Sequence, residues 1–170
     1  LFLIGREKEN ALAGRGGHII AKMNSLCDKD IIEALYEAGA AGVKIELIIR
    51  GICCLKTHLP GIGNHITVRS IVGNYLEHAR IFYFENNGKP EYYCASADWM
   101  PRNLERRVEI MFPIERPELQ RRLMDILKMQ LADTEKAHVL TADGTYEKVE
   151  KRGRGSFNSQ LEFCRLAAAA

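Results

Sequence analysis

A histidine and an arginine two positions apart, His78 and Arg80, head an apolar and aromatic run, Ile81-Phe82-Tyr83-Phe84. An imidazole can attack phosphorus or carry a proton near neutral pH. A guanidinium can grip two anionic oxygens at once. Together they suit phosphate chemistry, although a lone pair of this kind also fits a strand end that meets solvent. Residues 75–84 read as a strand, and strand side chains alternate. His78 and Arg80 are therefore expected on one face with Phe82 and Phe84, and Ile81 and Tyr83 on the other. Glu77 falls on the face away from His78, so its loss is expected to matter little.

The elements around this pair supply further charge. Glu85-Asn86-Asn87-Gly88-Lys89-Pro90 is turn chemistry, so residues 75–84 and 92–99 read as a hairpin. Upstream, residues 18–26 read as a strand, with His18, Ile20, Lys22 and Asn24 on one face, an odd pattern for a fully buried strand. Asp28 is a good helix N-cap ahead of the stripe Ile31, Ile32, Leu35 and Tyr36, and Gly39 sits where a left-handed C-terminal residue is wanted. Residues 43–49 form the next strand. Strand, helix, strand over this distance is a βαβ unit, a parallel pair joined by a right-handed crossover. Arg50-Gly51 then falls at the C-terminal end of a parallel strand, where α/β sheets place ligand crevices.

After a loop over residues 52–64 and a short strand over 66–72, the remaining signals lie beyond the hairpin. Pro101 is expected to limit a helix start in the turn after Asp98. Residues 106–113 read as a strand carrying Val108, Ile110 and Phe112 on one face, with Glu109 a candidate carboxylate for orienting an Arg or His. Pro117 opens the clearest helix, with Leu119, Leu123, Ile126, Leu127 and Leu131 as its buried stripe. Asp143-Gly144 and residues 145–149 read as a turn and a small strand, and residues 151–155 as a basic, glycine-rich segment that can border a polyanion path.

The stretches Ile71-Val72-Gly73-Asn74-Tyr75-Leu76-Glu77-His78-Ala79-Arg80-Ile81 and Ser96-Ala97-Asp98-Trp99-Met100 resemble polyphosphate kinase, more narrowly the C-terminal catalytic domain of its long, multidomain form. The resemblance runs over residues 1–160. It implies an α/β fold of the phospholipase-D-like kind: a mixed sheet with a βαβ unit and a hairpin, flanked by helices. It also implies reversible transfer of the terminal phosphate of ATP to inorganic polyphosphate, through a phosphohistidine in an upstream domain. His78 matches the second essential histidine, facing the first across the cleft, with an acid/base or phosphate-holding role. Arg50 matches an arginine that contacts nucleotide or phosphate. Lys22 and Asn24 match a Lys-x-Asn pair facing the crevice, and Arg80 joins them as a phosphate-binding candidate. Ser96, Asp98, Arg102, Asn103 and Glu109 are candidate crevice-lining residues.

The partners implied are ATP, ADP, inorganic polyphosphate, the other domains of the enzyme, and further copies of it. Magnesium is implied too, with ligands outside this chain. The location implied is cytoplasmic, with membrane association of the full-length enzyme as an alternative. The rival reading is a stand-alone phospholipase-D-like phosphodiesterase or nuclease working as a homodimer. Against that pattern Arg80 replaces the usual Lys, and Asp98 sits where Asn is expected. A third reading is a module that binds polyanions without turnover.

Composition is that of an ordinary protein: 170 residues, 46% hydrophobic and 27% charged, enough for one domain with a real core. A net charge of +2 is too small to argue for nucleic acid, and none is expected as a partner. No apolar run approaches a membrane span. The five cysteines lack zinc-ligand spacing and fit reduced thiols. There is no Walker-type loop, so any use of ATP does without that solution. A start at Leu1 and an end in four alanines suggest a piece of a longer protein; residues 1–160 are expected to be one domain and 161–170 a tail.

Overall fold

A computed structural model describes residues 1–62, 65–151, 153 and 155–169. Of the basic segment proposed above, Arg152 and Arg154 lie outside the described residues, as does Gly63 of the long loop.

In chain order the elements are α1 (Phe2–Leu12), β1 (His18–Met23), α2 (Lys29–Ala40), β2 (Lys44–Ile49), β3 (Ile66–Ile71), β4 (Ile81–Phe84) and β5 (Glu91–Ala95). They continue with α3 (Pro101–Arg106), β6 (Met111–Pro113), α4 (Pro117–Ala132), β7 (Ala137–Leu140), β8 (Tyr146–Lys148) and α5 (Ser159–Ala168). Among the described residues the strands form one mixed sheet in the order β6-β5-β4-β1-β2-β3-β7-β8. Strands β1, β2 and β3 are parallel neighbours, and the remaining pairings are antiparallel. The α/β class, the βαβ unit and the β4–β5 hairpin are as the sequence led us to expect.

Alternation along β4 divides its side chains between two cores. Phe82 and Phe84 join Ile4, Leu35 and Leu47 in one cluster. Ile81 and Tyr83 join Ile20, Ile48 and Leu127 in the other. Each side of the sheet thus has an apolar layer, as a sheet covered by helices requires. The hairpin turn places Asn86, Asn87 and Gly88 at φ 48°, 51° and 78°. Asparagine and glycine are the residues that tolerate that left-handed region.

Several local expectations are corrected. Gly39 lies inside α2, where a Cβ would come within 3.0 Å of the Ile66 side chain; it is there for close packing. The left-handed residue is Gly42, at φ 97°. Gly42 N–H donates to the Gly39 carbonyl at 3.0 Å and Val43 N–H to that of Ala38 at 3.0 Å, which closes the helix end. Pro101 does not limit a helix but begins one, since the first turn needs no N–H from it. The strand expected over 106–113 shrinks to β6, because β5 offers partners only for Met111, Phe112 and Pro113. Val108 is fully exposed and Ile110 is 62% exposed. Of the α4 stripe only Leu127 is fully buried; Leu123, Ile126 and Leu131 pack half-buried, and Leu119 is exposed.

Two elements had no sequence expectation. Strand β7 pairs with β3, and α5 covers most of the stretch first set aside as a tail. Both are tied down by the buried Asp133 at the end of α4. Its Oδ1 accepts the N–H groups of Glu135, Lys136 and Ala137, and its Oδ2 accepts the N–H and hydroxyl of Ser159 at 2.7 Å each. Burial alone would raise this carboxyl's pKa; the five donors outweigh it and hold it below the ordinary range.

Candidate phosphate-binding edge

Parallel β1 and β2 end together at Met23 and Ile49, and the antiparallel β4 starts beside them, with Ile81 opposite Lys22. Whatever precedes Ile81 is therefore delivered to the C-terminal ends of the parallel pair. The segment holding His78 and Arg80 arrives in this way.

His78 and Arg80 are not on a strand, and the alternation argument does not apply to them. The β1 ladder partnering β4 stops at Lys22, so on that side the carbonyls of Glu77 and Ala79 meet no strand, while on the other the Arg80 carbonyl still accepts the Ala95 N–H of β5 at 3.2 Å. The Lys22 ammonium takes them instead, donating to the Glu77 carbonyl at 2.9 Å and the Ala79 carbonyl at 3.1 Å. One buried cation thus seats the residues on either side of His78, whose own side chain is exposed. Lys22 is 1% exposed. Burial lowers its pKa to about 8; Glu77 and Asp98 pull upward, while Arg50 and Arg80 push further down.

Asp98 organises the other half. Arg80 lays its guanidinium across the carboxylate, Nε to Oδ1 at 3.2 Å and Nη2 to Oδ2 at 3.1 Å, and its Nη1 donates to the His78 carbonyl at 3.0 Å. The Asn24 N–H donates to Asp98 Oδ1 at 2.8 Å and its side-chain amide does so at 3.3 Å. Burial would raise the Asp98 carboxyl, but Arg80 and the backbone donors more than offset this, so it stays ionised below the usual range. Asp98 can be buried as an anion because Arg80 is its counter-ion.

Arg50 begins the loop after β2 and is half-buried; its carbonyl accepts the Ser70 hydroxyl at 3.1 Å. Two buried polar atoms here, Arg50 Nε and Asn24 Oδ1, have no protein partner among the described residues. The edge gathers three cations, Lys22, Arg50 and Arg80, against two carboxylates, Asp98 and Glu77. Around Lys22 the surplus is positive, and Lys22's two hydrogen bonds seat the backbone on either side of His78, whose side chain is exposed. Such a cluster of cations can hold an anion.

Of the remaining candidates, Ser96 and Asn103 gather around Glu109, whose carboxyl also feels the charge of Arg80. Glu109 precedes β6 and accepts from the Ser96 hydroxyl and, at 2.6 Å, from the Asn103 amide. Among the described residues it orients no arginine or histidine through a hydrogen bond, contrary to what the sequence suggested; these two donors hold its pKa low. Asn103 and Glu109 line a cavity of about 250 Å³ with Phe82, Trp99 and Arg107. Arg102 is exposed on α3. Among the described residues no group of three or more His, Cys, Asp or Glu side chains is placed to hold a metal ion.

Sequence reasoning missed one set entirely. Glu77 is not idle: its carboxylate accepts Gln130 Nε2 at 2.7 Å and Gln160 Nε2 at 2.9 Å, and lies 3.9 Å from Lys22 Nζ. A signal existed in Gln130, which falls three residues after Leu127 on the buried side of α4 and is 1% exposed. A polar residue on a buried stripe needs a polar partner.

A family model described as polyphosphate kinase C-terminal domain 2 matches residues 1–160. The chain is 52% identical over 160 residues to polyphosphate kinase of Lactiplantibacillus plantarum, covering 94% of this chain and 22% of that protein. It is 48% identical over 153 residues to that of Pseudomonas aeruginosa, covering 90% and 22%. The chain therefore spans about a fifth of the length of these relatives. Among solved structures, polyphosphate kinase from Porphyromonas gingivalis superposes with a TM-score of 0.94 at 41% identity, covering 99% of this chain and 26% of that one. A phospholipase D family member, Nuc from Salmonella typhimurium, matches at a TM-score of 0.54 and 16% identity over 76% of this chain and 84% of that one, a likeness of fold alone.

Proposed function

Because the chain belongs to the polyphosphate kinase family, matching its C-terminal domain 2, we propose that it forms one wall of a site that reversibly moves the terminal phosphate of ATP onto inorganic polyphosphate. The observation that carries this reading is the closeness of three cations at the C-terminal edge of the parallel strands: Lys22 and Arg80 bond the loop bearing His78, and the charge of Arg50 reaches Lys22. Phosphoryl transfer needs little covalent work from a protein beyond the acceptor; positioning and charge neutralisation supply most of the rate. Arg50 and Arg80 hold phosphate oxygens, Lys22 sets the loop and adds field, and the His78 imidazole accepts or returns a proton at a ring nitrogen. The phosphohistidine belongs to a preceding domain of the longer protein. Magnesium would be held by residues outside this chain, and no step here runs through it. The longer protein is a cytoplasmic enzyme that works as a homo-oligomer in this reading.

The two departures from the phospholipase-D-like nuclease pattern account for each other. Arg80 in place of Lys can fork onto a carboxylate, and Asp98 in place of Asn supplies one. A lysine would make a single point contact, and an asparagine would bring no charge. The exchange leaves Arg80 held and His78 fixed through its carbonyl, which suits a site that binds a polyanion.

In the full-length kinase His78→Ala should lower turnover at least about a hundredfold, the usual scale of acid–base assistance, while ATP affinity changes far less. His78→Gln keeps a hydrogen bond to phosphate but cannot cycle a proton near pH 7, and should be as slow as Ala. Both variants turning over at the native rate with weakened binding would replace catalysis with a binding role.

A further inference from the structure

Glu77, the neighbour of His78, is built into the protein more firmly than its place in a surface loop explains. Its side chain accepts amide N–H groups from Gln130 of α4 and Gln160 of α5, at 2.7 and 2.9 Å, and faces Lys22 at 3.9 Å. Its backbone carbonyl takes the Lys22 ammonium at 2.9 Å. Gln160 does more: its Oε1 accepts the Tyr75 N–H at 3.1 Å and its Nε2 donates to the Tyr75 carbonyl at 2.9 Å. A Cβ on Gly73 would lie 2.3 Å from Gln160 Oε1, so a side chain there would push the Gln160 amide out of this position. Gln130 aims its amide nitrogen at Glu77 although its own Oε1 then stays buried without a partner among the described residues. An orphaned acceptor costs about 1–3 kcal/mol unless something better is gained; here the gain is a charge-assisted hydrogen bond to a carboxylate.

We infer that Glu77 is a positioning residue for His78: with Gln130, Gln160 and Lys22 it fixes the 75–80 segment, and so couples helices α4 and α5 to the placement of the imidazole. This rests on the reading of His78 as the acid/base group. Residues 75–80 lie outside the strands, tied to the sheet's backbone at their end by the Ala95 N–H that the Arg80 carbonyl accepts at 3.2 Å, so these contacts and the Arg80–Asp98 fork are the side-chain bonds that hold the rest in place. Removing the carboxylate frees the loop next to His78 while Arg50 and Arg80 keep their places. The proton step then suffers more than phosphate binding does.

The test is steady-state kinetics of the full-length kinase with ATP and polyphosphate, on His78→Ala, Glu77→Ala, Glu77→Gln and Gln160→Met. Glu77→Ala should lower kcat about tenfold or more with KM for ATP changed less than about threefold. Glu77→Gln should recover most of that loss: its oxygen still accepts from Gln160, and its amide can donate to Gln130 Oε1 once that side chain flips. Gln160→Met, which keeps chain length on α5 but removes the amide, should reproduce the kcat loss with KM spared, and it decides the matter if Glu77→Ala does not fold. Native kcat in Gln160→Met or in folded Glu77→Ala, with His78→Ala slow, overturns the positioning role and leaves the reading of His78 intact. Native kcat in His78→Ala overturns that reading, and the positioning role with it.

Discussion

Replacing Lys22 by Met should change how stability depends on pH more than it changes stability at pH 7. The Lys22 pKa falls from 10.5 to about 8 on folding, mainly through burial. At roughly 1.4 kcal/mol per unit, the charged ammonium costs the folded state about 3 kcal/mol. Methionine of similar length removes that cost. It also strips a donor from the Glu77 and Ala79 carbonyls, about 1–3 kcal/mol each if they stayed dry. Because His78 between them is exposed, water can reach this segment, and the two effects should cancel to within about 2 kcal/mol at pH 7. Between about 8 and 10.5 the unfolded chain holds a proton at Lys22 that the folded chain has released, so the native protein gains stability as pH rises. Urea unfolding of both proteins at pH 7 and pH 9.5 should show the native form gaining about 2 kcal/mol relative to Lys22→Met. Tyrosines and cysteines with raised pKa titrate in both proteins and drop out of the difference. Parallel pH profiles would mean that Lys22 is not held charged and dry, and the seat of the His78 loop would need another cause.

Arg80→Lys should weaken the Asp98 clamp and lower turnover, and adding Asp98→Asn should restore part of the loss by removing an unpaired buried carboxylate; a cycle of the two variants with additive effects would deny the coupling. Arg50→Ala should weaken ATP binding about tenfold or more, with binding less steeply dependent on salt; isothermal titration at two salt concentrations checks both. The isolated chain should unfold cooperatively in urea yet make no polyphosphate from ATP, and robust synthesis by the pure chain would remove the need for a phosphohistidine elsewhere.

Much of the fold is legible from one dimension because its signals are local. The Asp28 cap, the stripe from Ile31 to Leu35 and the apolar run 43–49 dictate a βαβ unit, and its handedness follows from strand twist. The turn at 86–88 needs left-handed backbone, and Asn-Asn-Gly supplies it. Of the candidate site, His78, Arg80 and Arg50 were nameable from residue type and position, whereas Asp98, Lys22 and Asn24 entered through the family resemblance, the last two on a strand face already oddly polar. Their arrangement was not. A strand ends where its neighbour ends, and nothing within residues 75–80 says that β1 stops offering partners at Lys22. That boundary turns the His78 segment from a strand into a loop seated by a lysine. It also voids any inference from alternation and brings Glu77 into contact with two helices. Gln130 and Gln160 lie 53 and 83 residues from Glu77 along the chain. Contacts at that separation leave no periodicity to read, because they are set by how α4 and α5 pack once the sheet has formed.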